Sequence, residues 1–160
     1  MKRGFSLLET TVAVAILTVS IVGPLTLASS TIKSASQSKN NLISANLAQE
    51  GIELMRSVRA NNVLGGNDWL SGMDSCLLSA GCVIDATNLA ISACGSSCPP
   101  LKLDPVPSLY SYTDGTDTIF GRKINITIIN GNEVKVSAVV SWQERFGSQQ
   151  FSVEESMLNW

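Results

Sequence analysis

Histidine is absent from this 160-residue chain. Its absence removes both the commonest general base of enzyme active sites and the commonest metal ligand. Serine, threonine and cysteine are present, but no imidazole stands by to activate them as nucleophiles, and other bases would have to serve. Catalysis is therefore not expected, and neither a cofactor nor a metal is called for. Charge is scarce as well. Asp, Glu, Lys and Arg make up 15% of residues, and 11 cations against 13 anions leave a net charge of -2. The cations are scattered and form no basic block, so the electrostatic footprint of a nucleic-acid binder is missing. There is no internal repeat, no low-complexity tract and no heptad run.

What is present is unevenly placed. The hydrophobic fraction of 44% is concentrated in the first thirty residues. From Thr10 through Ile32 no side chain is charged; about 23 residues of helix rise roughly 35 Å, enough to cross a hydrocarbon core. Lys2 and Arg3 on the near flank orient the N-terminus to the cytoplasm, with the remainder outside. Pro24, preceded by Gly23, removes one backbone hydrogen bond and is expected to kink or locally open the helix. From Lys33 onward the pattern turns amphipathic, with Ile43, Leu47, Gly51, Leu54 and Val58 along one stripe. Gly51 on that stripe would let a strand approach closely. Arg56 and Arg59 suit the negative end of the helix dipole, and Asn61-Asn62 followed by Gly65-Gly66 supplies a stop signal near Ala60.

Between Asn61 and about Thr118 periodicity is weak, and Gly, Ser, Asn and Pro dominate. Short helical turns near Trp69-Leu70 and over Thr87 to Ser92 are compatible with this stretch. All four cysteines, Cys76, Cys82, Cys94 and Cys98, fall within it. An even number clustered outside the membrane points to two disulfides in an oxidising compartment. Three connectivities are open and the sequence does not choose among them, although the local pairs are preferred. Rings this small stabilise by roughly 2 kcal/mol each in the chain-entropy account. Zinc held by four thiolates is the alternative, weakened by the lack of any C-x-x-C pair.

The last forty residues alternate. Ile124, Ile126 and Ile128 are followed, across Asn130-Gly131-Asn132, by Val134, Val136, Ala138, Val140 and Trp142. Asn-Gly between two alternating runs signals a hairpin. A second turn over Arg145 to Ser148 leads to Phe151, Val153 and Met157. The expected fold is α+β: a long N-terminal hydrophobic helix packed on a C-terminal three-stranded antiparallel sheet, with a cysteine-stapled loop region between. Its segments are 1–4, 5–32, 33–62, 63–118 and 119–160. Two minor candidates are noted. Asp114-Gly115-Thr116-Asp117 offers oxygens to Ca²⁺ but too few for a calcium loop, so a plain turn is preferred. Asn125-Ile126-Thr127 matches a glycosylation sequon inside an expected strand.

The opening residues carry the strongest signal. A secretory signal places its small-residue cleavage site after the apolar region. Here Met1-Lys2-Arg3-Gly4-Phe5-Ser6-Leu7-Leu8-Glu9 offers a candidate site, Gly4, before it. A residue without Cβ fits most easily into a peptidase site that takes an extended backbone. Glu9 is the only charge in the apolar segment, and a carboxylate near the centre of a membrane helix costs on the order of 3 kcal/mol. Ser6-Leu7-Leu8-Glu9 also fits the S-x-x-E capping box, which would give Glu9 a purely local role.

This leader resembles that of the type IV pilin and pseudopilin family, and Asn46 to Asn62 resembles the corresponding helix end of PilV-type minor pilins and minor pseudopilin I proteins. The resemblance covers residues 1 to about 62. It implies a pilin-like fold and a filament subunit, not an enzyme. It implies that a prepilin peptidase cuts after Gly4 and methylates the new amine of Phe5. It further implies that Glu9 meets the charged N-terminus of a neighbouring pilin or pseudopilin subunit, setting axial register. The subunit would wait in the lipid of the bacterial cytoplasmic membrane, N-terminus inside, before entering an extracytoplasmic filament. The alternative is a membrane-tethered binding or adhesion domain that uses the same helix only as an anchor.

Overall fold

The structure is a computed structural model that describes residues 6–106, 108–144 and 147–159. The chain divides into two compact units, one reaching to Asn40 and one starting at Asn41. A single helix, α1 (Leu7–Leu64), enters both.

In the first unit the described residues are all helix after Ser6, and their apolar side chains are exposed. Every serine and threonine from Thr10 to Thr31 donates its hydroxyl to the carbonyl three or four residues back, at 2.6–3.0 Å. These side chains therefore take their hydrogen-bond partners from their own helix and need none from solvent. The expected opening at Pro24 does not occur, for α1 continues as helix through it. Loss of one amide leaves the bonds on either side in place. Length and composition make α1 the one described helix able to cross a membrane.

In the second unit α1 buries Ser44, Leu47, Ala48, Gly51, Ile52 and Met55. The expected stripe is one flank of this face, with Ile43, Leu54 and Val58 half-buried along its side. The helix ends at Leu64, a turn beyond Ala60, so Arg56 and Arg59 lie short of its last turn. Its end is a Schellman motif. Asn67 N–H donates to the Asn62 carbonyl (2.9 Å), Gly66 N–H donates to the Val63 carbonyl (3.1 Å), and Gly66 takes a left-handed φ of 71°.

Among the described residues the sheet has seven antiparallel strands, a correction to the expected three. They are β1 (Cys82–Ile84), β2 (Ile91–Ala93), β3 (Pro100–Asp104), β4 (Leu109–Ser111), β5 (Thr116–Asn130), β6 (Glu133–Glu144) and β7 (Gly147–Leu158). The expected meander is β5-β6-β7, with the first hairpin turning at Gly131-Asn132. Arg145 and Phe146 of the second turn lie outside the described residues. The 63–118 region, expected as loop, also carries four short strands. Its strands dock on the other edge of β5, where β3 pairs along Thr116 to Gly121 and β1 pairs Cys82 with Ile124. β2 and β4 then extend β1 and β3 outward. A 3₁₀ turn at Asp74–Leu77 precedes β1, and β2 occupies part of the stretch where a helical turn over 87–92 was compatible. These strands have three to five residues, too short to show a period, and they form because a fifteen-residue strand offers them an unpaired edge.

The core lies between the buried face of α1 and the inward residues of the sheet, among them Ile124, Ile126, Val136, Ala138, Val140 and Trp142. At Gly51 the two layers approach closely. A Cβ there would lie 3.1 Å from Arg122 Cδ and 3.5 Å from Ala138 Cβ, so a larger side chain would force the layers apart.

Arg122 is fully buried at an inward position of β5. Its Nη1 donates to the Leu47 carbonyl (3.1 Å) and to Glu50 Oε2 (2.7 Å), and its Nη2 donates to the Ile84 carbonyl (2.9 Å). One guanidinium thus ties α1, β1 and β5 together. Beside it Asp85 is also buried. Its Oδ1 accepts the Thr87 amide and hydroxyl, and its Oδ2 accepts the Tyr112 amide at 2.8 Å. Burial pushes the Asp85 carboxyl upward, but the Thr87 and Tyr112 hydrogen bonds and the Arg122 charge outweigh it, holding the group below its ordinary 3.8.

Two outcomes are expected. Glu50→Ala leaves a buried cation without its counter-charge. Because the Glu50 side chain is 31% exposed, the loss in denaturant unfolding of the disulfide-intact protein should be about 1–3 kcal/mol, with Glu50→Gln losing less. Asp85, whose folded-state pKa is depressed, contributes stability that is full above 3.8 and disappears as pH falls through the lower folded value. Asp85→Asn should therefore be less stable than the natural chain at pH 7, with the gap narrowing in acid below pH 3.8.

Candidate assembly site

Gly4 and Phe5, the processing residues, lie outside the described residues. Glu9 is described, and it stands in the first turn of α1. Ser6 precedes the helix, and its Oγ accepts the Glu9 backbone N–H at 3.2 Å. This is the serine half of a capping box, satisfying one of the amides left free at a helix start. The Glu9 side chain is exposed, and among the described residues its carboxylate accepts no hydrogen bond. Ser6 thus supplies the cap through its hydroxyl, while the carboxylate is left available to a group from elsewhere.

The four cysteines pair locally, Cys76 with Cys82 and Cys94 with Cys98, and none is free. Their sulfurs are bonded to each other and are not available as zinc thiolates. The two bridges have different surroundings. Cys76 and Cys82 are fully buried and join the 3₁₀ turn to β1, beside Ile124 of β5. Cys94 and Cys98 close the connection between β2 and β3, with Cys98 half-exposed. A cleft of about 400 Å³ opens next to Cys98 on the outer sheet face, over Gly121 and lined by Ser97, Lys123, Val139, Ser141 and Gln150. Its lining combines hydroxyls, an amide and one ammonium, without a carboxylate to serve as a base.

The minor candidates resolve into structural duties. The Asn125 side chain sits within β5 and donates to the Leu78 carbonyl at 3.0 Å, so the sequon amide is already engaged. Asp114 and Gly115 lie in the turn from β4 into β5, and Thr116 and Asp117 open β5 itself. Gly115 has φ 106° there, and a Cβ on it would lie 2.5 Å from the Leu103 carbonyl. Among the described residues no three His, Cys, Asp or Glu side chains gather where they would hold a metal ion.

Sequence reasoning missed the buried polar group around Arg122, Glu50, Asp85 and Tyr112. A signal was available. Arg122 continues the inward series Phe120, Ile124, Ile126 by two-residue steps, and a cation on a buried face requires a partner.

Comparison with protein-family models, with curated proteins and with solved structures finds no match to this chain.

The difference between the bridges is measurable. The double variant Cys76→Ser/Cys82→Ser places two hydroxyls in a fully buried site in addition to losing a ring constraint of roughly 2 kcal/mol. It should lower the thermal midpoint more than Cys94→Ser/Cys98→Ser, compared by calorimetry under non-reducing conditions.

Proposed function

We propose that this chain is a minor pilin or pseudopilin, a structural subunit of a type IV pilus or a secretion-type filament. The observation that carries this is the order of the first residues: a two-cation leader ending in Gly4, then Phe5 to Glu9, then an uncharged helix long enough to cross a membrane. Cleavage after Gly4 would remove only the leader and leave the apolar helix on the mature protein.

Two features of the first unit support this. The span's hydroxyls are satisfied within the helix, so it suits lipid before assembly and helix-to-helix packing afterwards. The Glu9 carboxylate has no partner among the described residues, although a lone intramembrane acid usually marks a function. The freed amine of Phe5 on a neighbouring subunit is a cation of the right kind. A buried pair of this sort adds little net stability, but it specifies register, which a filament needs. The disulfide-bonded second unit suits an oxidising, extracytoplasmic location. The subunit would be held in the cytoplasmic membrane with its N-terminus inside, be processed by a prepilin peptidase, and then join other subunits.

The test is made in cells with a working prepilin peptidase. Intact mass and N-terminal peptides of the membrane-extracted natural chain should give a mature protein starting at N-methylated Phe5. Gly4→Leu should remain in the membrane fraction as the full-length, unprocessed precursor. Glu9→Leu should be processed and inserted normally yet fall at least about tenfold in sheared filaments. A natural chain that keeps its leader would overturn the filament assignment and favour a tethered domain. Normal incorporation of Glu9→Leu would reduce Glu9 to its helix-start position.

A further inference from the structure

Gly121 stands inside β5 at a position where the fold itself does not call for glycine. Its φ is not positive, and a Cβ on it would meet only Ser141 Oγ, at an ordinary 3.7 Å. Glycine weakens a strand interior, and where neither a bend nor packing requires it, it marks a place that a ligand approaches closely. Over Gly121 the outer sheet face sinks into the cleft of about 400 Å³, walled by Ser97 and Cys98 of the β2–β3 connection. A second hollow of about 280 Å³ shares Cys98, Gly121 and Ser141 with it and runs on to Ile119 and Ser148. The register places Gly121, Ser141 and Gln150 in one row across β5, β6 and β7, with Lys123, Val139 and Ser152 in the next. Strand spacings make this floor roughly 10 by 7 Å, the footprint of one or two sugar rings.

Unpaired polar side chains converge on this cleft. In the second unit Arg56, Arg122 and Lys135 are paired with carboxylates, and Lys102 donates to the Thr113 carbonyl. Lys123 has no such partner among the described residues. It is nevertheless half-buried, its stem held beside Gly81, where an added Cβ would lie 2.8 Å from Lys123 Cγ. The side chains of Ser97, Ser141 and Gln150 likewise make no hydrogen bond among the described residues. Neither hollow is lined by a carboxylate, and Glu154, further along the same face, is bound to Lys135 at 3.1 Å.

The geometry points to this cleft as a binding site for an acidic sugar, a uronate unit of an oligosaccharide, with Lys123 facing its carboxylate and Ser97, Ser141 and Gln150 its hydroxyls. One compact ammonium matches the single charge of a carboxylate, and the volume falls within the range of small-molecule sites. Gly121 and Val139 offer a flat patch for the C–H face of the ring, and the second hollow gives room for a further sugar beside Ile119. An extended peptide does not suit the floor. Gly121 lies between Pro100 and Ser141, and Ser141 between Gly121 and Gln150, so the strands there already have neighbours on both sides. Phosphate sites gather several cations or free backbone amides. Arg122 also borders the cleft, but its guanidinium is engaged with α1 and β1, which leaves Lys123 alone. This site does not depend on the filament assignment.

The test titrates digalacturonate into the full chain in micelles of an uncharged, sugar-free detergent, followed by the amide NMR shifts of Lys123 and Ser141. Digalacturonate should bind with a Kd below about 10 mM, and the uncharged digalactose at least about tenfold more weakly. Added salt should weaken the charged ligand only. Gly121→Val fills the floor, and Lys123→Gln removes the charge. Both should keep a thermal midpoint near that of the natural chain while digalacturonate binding weakens about tenfold; should Gly121→Val fail to fold, Lys123→Gln decides. Shifts unchanged up to about 10 mM digalacturonate would overturn the site, as would full-strength binding by Lys123→Gln or by folded Gly121→Val. Equal binding of digalactose, or of inorganic phosphate at the same amides, would overturn the acidic-sugar assignment.

Discussion

A buried positive charge holds the second unit together. Arg122 has no exposed surface, yet its guanidinium N–H groups donate to the Leu47 carbonyl and Glu50 of α1 and to the Ile84 carbonyl of β1. Removing such a group from water costs several kcal/mol unless its donors are matched, so three elements must arrive in one arrangement. Tyr112 adds a fourth point, donating its hydroxyl to the Arg122 carbonyl at 3.2 Å. Burial raises the Tyr112 phenol above its ordinary value, against the pull of the Arg122 charge. Asp85, held by Thr87 and the Tyr112 amide, brings a carboxylate to the same neighbourhood. The cluster is thus a specificity device more than a source of net stability.

Its position explains two neighbours. Gly51 is a glycine in the middle of a helix, which costs roughly 1 kcal/mol relative to alanine. Here the missing side chain makes room for the Arg122 stem and for Ala138. The Cys76–Cys82 bridge anchors the segment leading into β1, the strand whose Ile84 carbonyl accepts from Arg122. A short strand with one paired position on β5 has little ladder of its own, and the bridge limits what its unfolded chain can explore.

The first unit follows other rules. From Thr10 to Ile32 its exposed large side chains are apolar, and its hydroxyls bond backward along their own helix. Such a segment suits a medium that offers no hydrogen bonds, whereas the second unit buries its apolar face against its own sheet. Glu9 stands at the start of this apolar stretch, and among the described residues its carboxylate accepts no hydrogen bond.

The sequence by itself determined the elements whose pattern is long. These are the uncharged span, the amphipathic continuation of α1, the Gly65-Gly66 stop and the alternating strands of the last forty residues, because periodicity survives without knowledge of neighbours. It also carried Gly4, Phe5 and Glu9 as candidates, since their signal lies in their order along the chain. Tertiary structure alone decided the rest. β1 to β4 are too short to carry a period and exist because β5 leaves an edge open to them. Cysteine spacing left three pairings, and folding brought Cys76 to Cys82 and Cys94 to Cys98. The partners of Arg122 lie 38 to 75 residues away. Contacts at that separation are set by how the layers stack, which no local pattern encodes.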